Sequence, residues 1–233
     1  MTQLLISVKN VEEAIIALQA GADIIDLKDP NIGALGALDL VTSQQIANTI
    51  SGRVTLSATV GEQHASVNQL INAINSYQQI GIDIIKLAVD DLFARPEFEI
   101  EIRKITAKNI KLVAVFFAEE EIDLSFLAQI SLLGFYGAII DTKQKNKDLT
   151  QIFSTKHLQS FTRICSDHEL KSGFAGSLRI RHVDQLASLN PCYMGFRGGV
   201  CKNFERGSVI LPQTISDIKK LLFKHNNFKL IAQ

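Results

Sequence analysis

Apolar positions in this chain come as short continuous runs, separated by longer stretches in which they recur every three or four residues. A continuous run bounded by turn residues reads as a strand covered on both faces, and the wider spacing reads as a helix with one buried stripe. Strands are predicted at Leu4–Val8, Ala22–Lys28, Arg53–Val60, Ile82–Val89, Leu112–Ala118, Gly137–Thr142, Ser172–Gly176 and Tyr193–Arg197. Between them, helices are predicted from Asn10 to Gly21 and at Ser43–Ile50, Ser66–Gln79, Pro96–Lys108, Leu124–Leu133, Thr155–Lys171, Val183–Leu189 and Ile215–Lys224. The first of these is clearly punctuated. Asn10 with Glu13 makes a capping-box-like start, Ala14, Ile15 and Leu18 share one stripe, and Gly21 stands at the C-terminal stop.

Alternation of eight strands with eight helices predicts an α/β fold, a (β/α)8 TIM barrel spanning 1–233 as a single domain. A doubly wound open sheet uses the same kind of strand. Its dinucleotide fingerprint, G-x-G-x-x-G, is missing after the first strand, where Val8-Lys9-Asn10 stands instead.

Composition narrows the function classes. With Lys+Arg and Asp+Glu both at 24, the formal charge is zero, so no basic surface advertises a nucleic-acid or membrane partner. Any phosphate must be held by local geometry. The N-terminus runs directly into Lys9-Asn10 without a basic leader, and no apolar run approaches a bilayer span, so a cytoplasmic protein is expected. Cys165, Cys192 and Cys201 lack metal-ligand spacing and read as packing residues. His64, His157, His168, His182 and His225 share no strand-end placement, so they are expected in surface or capping roles, with no metal site.

The candidate chemistry lies in the charges written into otherwise apolar strands. Gly21-Ala-Asp-Ile-Ile-Asp-Leu-Lys28 and Gly81-Ile-Asp-Ile-Ile-Lys-Leu-Ala88 are near copies, each with a lysine in its second half. A buried ammonium is costly unless it is paired or used. Period-two alternation puts Asp26 and Lys28 on one face of their strand, and Asp141 and Lys143 together on theirs. If those faces point inward, strands two, four and six deliver amines and carboxylates to one barrel mouth. Such a cluster suits imine chemistry, because a neighbouring cation or partial burial helps a lysine shed the proton that blocks its attack on a carbonyl. Ion pairs at strand ends are the plainer reading of the same residues.

Small-residue turns after strands seven and eight are the candidate phosphate-binding loops. Gly173-Phe-Ala-Gly176-Ser177 and Gly195-Phe-Arg197-Gly198-Gly199 offer backbone amides, the second beside a guanidinium. The same glycines also serve to turn the chain. The loop Asp29–Gly36 and the residues Thr59, Gly61 and Glu62 are placed at the same rim.

Taken together, Leu4-Leu-Ile-Ser-Val8, Glu12-Glu-Ala14, Gly21–Pro30, Gly33-Ala-Leu-Gly-Ala37, Ser57-Ala-Thr59, Lys86, Asp141-Thr142, Ala175-Gly-Ser-Leu178 and Gly195–Cys201 resemble the (5-formylfuran-3-yl)methyl phosphate synthase family of methanofuran biosynthesis. The resemblance implies a TIM barrel that condenses two molecules of glyceraldehyde 3-phosphate into a phosphorylated furan aldehyde. It also implies that Lys28 forms the Schiff base, that Lys86 accepts protons, and that Asp26, Asp141 and Lys145 complete the site. Lys143 stands near enough to Lys145 in sequence to compete for its place. No metal or organic cofactor is needed for such chemistry. The expected partner is a triose phosphate, with a homo-oligomer left open. Another class I aldolase or sugar-phosphate isomerase would share these features, as would a non-catalytic barrel that binds a phosphorylated metabolite.

Overall fold

Eight parallel strands pair in sequence order and the eighth closes on the first, as the alternating pattern predicts. They are β1 (Gln3–Val8), β2 (Ile24–Leu27), β3 (Thr55–Thr59), β4 (Ile84–Ala88), β5 (Lys111–Phe117), β6 (Gly137–Asp141), β7 (Lys171–Phe174) and β8 (Tyr193–Phe196). The helices are α1 (Val11–Gln19), α2 (Leu40–Ile50), α3 (Val67–Gln79), α4 (Pro96–Thr106), α5 (Phe126–Leu132), α6 (Leu149–Ile152), α7 (Thr155–Asp167), α8 (Val183–Ala187) and α9 (Pro212–Ile231). This computed structural model describes residues 1–144 and 146–231, with side chains of the last helix described as far as Asn227.

Strand alternation divides the apolar residues between two cores. Leu4, Ile6, Ile25, Leu27, Ile85 and Phe174 face outward and pack with helix residues such as Ala14, Ile46, Ile74 and Phe98. Leu5, Ile24, Ile84, Val113, Val115, Ile139 and Tyr193 face inward and fill the lower barrel. The same inward parity, carried toward the C-terminal strand ends, reaches Ser7, Asp26, Ser57, Lys86 and Asp141. Register keeps these side by side: Ser7 lies opposite Asp26, Asp26 opposite Ser57, and Thr59 opposite Lys86.

Helix ends follow local chemistry. Asn10 caps α1 by accepting from the Glu13 amide, and Ser66 caps α3 through the Gln69 amide. Helix α2 starts before the predicted Ser43, because Asp39 provides a cap for the Thr42 amide. Helix α7 stops short of the predicted Lys171. Glu169 adopts φ +59°, which breaks the helix and lets Lys171 begin β7. Helix α9 is longer than predicted at both ends. Cys165 and Cys201 are buried free thiols, and burial pushes Cys165 up to about 12.

Candidate active site

Among the described residues, two ion pairs occupy the upper barrel interior. Asp26, fully buried on β2, accepts from Lys86 Nζ at 2.6 Å and from Ser57 Oγ at 2.7 Å through Oδ1, and from Ser7 Oγ at 2.9 Å through Oδ2. Four strands therefore meet at one carboxylate. Lys28, just past the end of β2, faces Asp141 at the end of β6, with Nζ 3.5 Å from Oδ2. Asp141 Oδ1 also accepts from the Thr142 amide at 2.7 Å. All four charged groups are at most 6% exposed, so each needs its partner. The Lys86–Asp26 contact is short, whereas 3.5 Å is the long limit for a hydrogen bond. The arrangement offers two amines and two carboxylates within one cavity, a set able to capture a carbonyl and move protons around it.

The β7 and β8 turns form the opposite wall, where Gly176, Ser177, Gly198 and Gly199 line the cavity with Lys28, Lys86 and both aspartates. Their glycines are required by close approach. A Cβ on Gly199 would sit 2.0 Å from the Leu178 carbonyl oxygen, and Gly176, at φ +102°, has Thr142 so near that a Cβ would lie 2.6 Å from its methyl. Backbone thus lies bare against the cavity, as anion binding at such turns requires.

Arg197 behaves differently from its expected role. Its guanidinium bonds Glu13 on α1 through both terminal nitrogens, and also reaches the Ser7 carbonyl at 3.1 Å, the Arg206 carbonyl at 2.7 Å and the Ser208 carbonyl at 3.4 Å. All five of its donors are therefore taken within the protein. In this geometry Arg197 ties the loop after β8 to β1 and α1, and a phosphate must find its donors elsewhere.

The remaining predicted rim residues take defined places. Glu62 accepts from the Ala34 amide and from the Leu35 amide at 2.9 Å, and Thr59 Oγ1 donates to the Gly36 carbonyl at 3.0 Å, so both shape the loop after β2. Lys143 points away from the ion pairs. Its Nζ lies 3.3 Å from Glu120 and 5.1 Å from the centre of the Phe117 ring. Lys145 lies outside the described residues. His182 takes a capping role, as expected, and is buried in it: its Nδ1 accepts from the Arg179 amide at 3.1 Å and its Nε2 lies 3.5 Å from Asp148. No three of the described His, Cys, Asp and Glu residues gather as a metal site. Among the described residues, no helix is long and apolar enough to cross a membrane.

Sequence reasoning missed Ser7, Ser57, Arg179 and Arg206. The serines carried a usable signal, since both sit at inward positions of charged strand ends. Arg206 carried none, because it belongs to a loop whose path depends on Arg197.

Fold and site together define a (β/α)8-barrel enzyme whose mouth holds paired lysines and carboxylates beside glycine turns. Two solved barrels show the same architecture over nearly their whole length. Phosphoribosyl anthranilate isomerase from Thermus thermophilus has a TM-score of 0.69 at 11% identity, covering 96% of this chain and 99% of that one. The 3-hexulose-6-phosphate synthase from Salmonella typhimurium has a TM-score of 0.67 at 13% identity, covering 96% and 100%. The 4-HFC-P synthase family model matches residues 4–219, and the chain belongs to that family. A Methylorubrum extorquens protein provisionally named (5-formylfuran-3-yl)methyl phosphate synthase is 38% identical over 209 residues, 88% of this chain and 84% of that protein. The Methanosarcina mazei (5-formylfuran-3-yl)methyl phosphate synthase is 30% identical over 211 residues, covering 85% and 90%. That of Methanothermobacter thermautotrophicus is 28% identical over 236 residues, covering 94% and 98%.

Proposed function

We propose that this enzyme is a lyase that condenses two molecules of glyceraldehyde 3-phosphate into (5-formylfuran-3-yl)methyl phosphate, with loss of phosphate and water, through an imine on Lys28. The observation that carries the reading is the placement of Lys28 against Asp141, and of Lys86 against Asp26, in one cavity walled by the Gly176–Ser177 and Gly198–Gly199 turns. Family membership supplies the product class, and methanofuran biosynthesis is the proposed setting.

In this mechanism the Lys28 amine, its proton passed to Asp141, attacks the aldehyde of the first triose phosphate. The resulting iminium acidifies the adjacent C–H bond, and Lys86, held on Asp26, relays the proton as phosphate is expelled. The second triose phosphate, isomerised to its 2-ketone, then accepts aldol addition of C3 of the first at the ketone carbon. Its freed C1 hydroxyl closes the ring on C2 of the first, and two waters leave to make the furan aromatic. Hydrolysis of the imine returns the water lost when it formed and frees Lys28. The imine is the electron sink.

Borohydride reduction in the presence of glyceraldehyde 3-phosphate, followed by peptide mapping, is expected to tag Lys28. Lys86→Ala is expected to retain trapping while losing product, followed as the strong ultraviolet absorbance of a conjugated aldehyde. An untagged Lys28 during turnover would refute the imine assignment.

A further inference from the structure

Condensing two triose phosphates requires that two phosphate groups be held at once, and the glycine turns account for one. The charges nearest the reacting atoms are committed to one another, Lys28 to Asp141 and Lys86 to Asp26. Arg197 is spent on Glu13 and backbone carbonyls. The other cavity-lining guanidiniums are Arg179, which follows the β7 turn and lies over the Phe204 ring at 4.1 Å, and Arg206, which reaches the loop after β2.

The Arg206 backbone is fixed from below. The buried Arg197 side chain holds the Arg206 carbonyl at 2.7 Å and the Ser208 carbonyl at 3.4 Å, while the loop is closed by Lys202 N–H to the Val209 carbonyl at 3.0 Å and Leu211 N–H to the Val200 carbonyl at 2.8 Å. From there the Arg206 side chain passes Gly198, where a Cβ would lie 3.3 Å from its Cγ, and crosses to the loop after β2. One terminal nitrogen donates to the Gly33 carbonyl at 3.1 Å. Its other donors make no bond among the described residues.

The surroundings keep this cation ready for an anion. Burial pulls its pKa below the ordinary arginine value, Asp141 and Glu62 pull it back up, and Arg197 opposes them. A single bond to a neutral carbonyl is a weak use of a partly desolvated guanidinium. A phosphate, presenting two oxygens to the planar fork, is a stronger acceptor than Gly33.

We infer that Arg206, parked on the Gly33 carbonyl, is the phosphate anchor of a second triose-phosphate subsite on the β2-loop side of the cavity. This rests on the two-substrate reading above. The β7 and β8 turns hold one phosphate, Arg206 holds the other, and the two carbon chains meet over Lys28 between them.

The test uses glycerol 3-phosphate, which carries the phosphate but no carbonyl and so forms no imine. Calorimetric titration of the wild type is expected to show two equivalents bound. Arg206→Gln is expected to bind one equivalent normally and the other about tenfold or more weakly, the loss of a charge-assisted bidentate contact. Arg206→Lys, which keeps charge without the fork, is expected to fall between. Arg206 is half-buried in a loop, and an unchanged thermal midpoint would show that each variant is folded. Two equivalents of unchanged affinity in Arg206→Gln, a single equivalent in the wild type, or loss of both equivalents in the folded variant would each overturn the subsite. Borohydride trapping on the same proteins separates the two claims. Two equivalents reduced to one by Arg206→Gln, with no tag on Lys28 of the wild type, would sustain the subsite and overturn the imine.

Discussion

The Lys86 ammonium and the Asp26 carboxylate, 2.6 Å apart, are joined across the barrel interior from β4 to β2, with Ser7 and Ser57 completing the carboxylate's shell. Burial makes the pair interdependent. Desolvation of either charge alone costs several kcal/mol, so the partner is what permits its neighbour to be there.

Asp26→Asn is therefore expected to destabilise the protein by about 3–5 kcal/mol, because it leaves Lys86 charged and uncompensated. The double variant Asp26→Leu with Lys86→Met is expected to recover most of that loss while remaining inactive. Urea denaturation of the three proteins measures both. Equal stability of Asp26→Asn and wild type would remove the pair's structural role.

Glu13 and Arg197 form another buried pair, between α1 and the loop after β8. Glu13→Ala is expected to cost about 3–5 kcal/mol for the same reason. It should also release the Arg206–Ser208 segment, seen as faster proteolysis or amide exchange there than in the rest of the chain. Uniform exchange across the molecule would contradict the tethering of that loop by Arg197.

Gly199→Ala introduces a methyl 2.0 Å from the Leu178 carbonyl oxygen, so the β7 and β8 turns must separate. A cost of about 1–3 kcal/mol in stability is expected. Under the proposed phosphate-binding role of these turns, the KM for triose phosphate should rise more than kcat falls. A loss confined to kcat would argue against a phosphate-binding role for this wall.

His182 and His64 are both held below the ordinary histidine pKa, chiefly because burial disfavours the imidazolium, against pulls upward from Asp148 and Asp90 respectively. Their unfolded forms bind protons more readily than their folded forms. Stability from this source is complete above about pH 6.5 and is lost as pH falls through the folded values. Urea midpoints at pH 7.5 and pH 5.5 should differ in that direction, and His182→Asn should flatten the slope. An unaltered slope in that variant would exclude His182 as a contributor.

Much of this was legible in the residue order. Apolar runs of strand length, alternating with capped amphipathic stretches, specify eight β/α units. The duplicated contexts of Lys28 and Lys86 marked them as misplaced for ordinary strands. Those signals are local, because strand parity and capping depend on residues only a few positions apart.

Which carboxylate meets which lysine was not local. Lys86 pairs with Asp26 and Lys28 with Asp141 because barrel closure and strand stagger bring β2, β4 and β6 to one level. The placement of two arginines is of the same kind. Arg197 stands beside the glycines in sequence, yet Glu13 on a distant helix takes it, and its grip on the following loop carries Arg206 to the cavity instead. Sequence alone determined the barrel and the lysines. Only the closed tertiary structure, by deciding which charges could be desolvated together, determined how they are paired and which guanidiniums line the cavity.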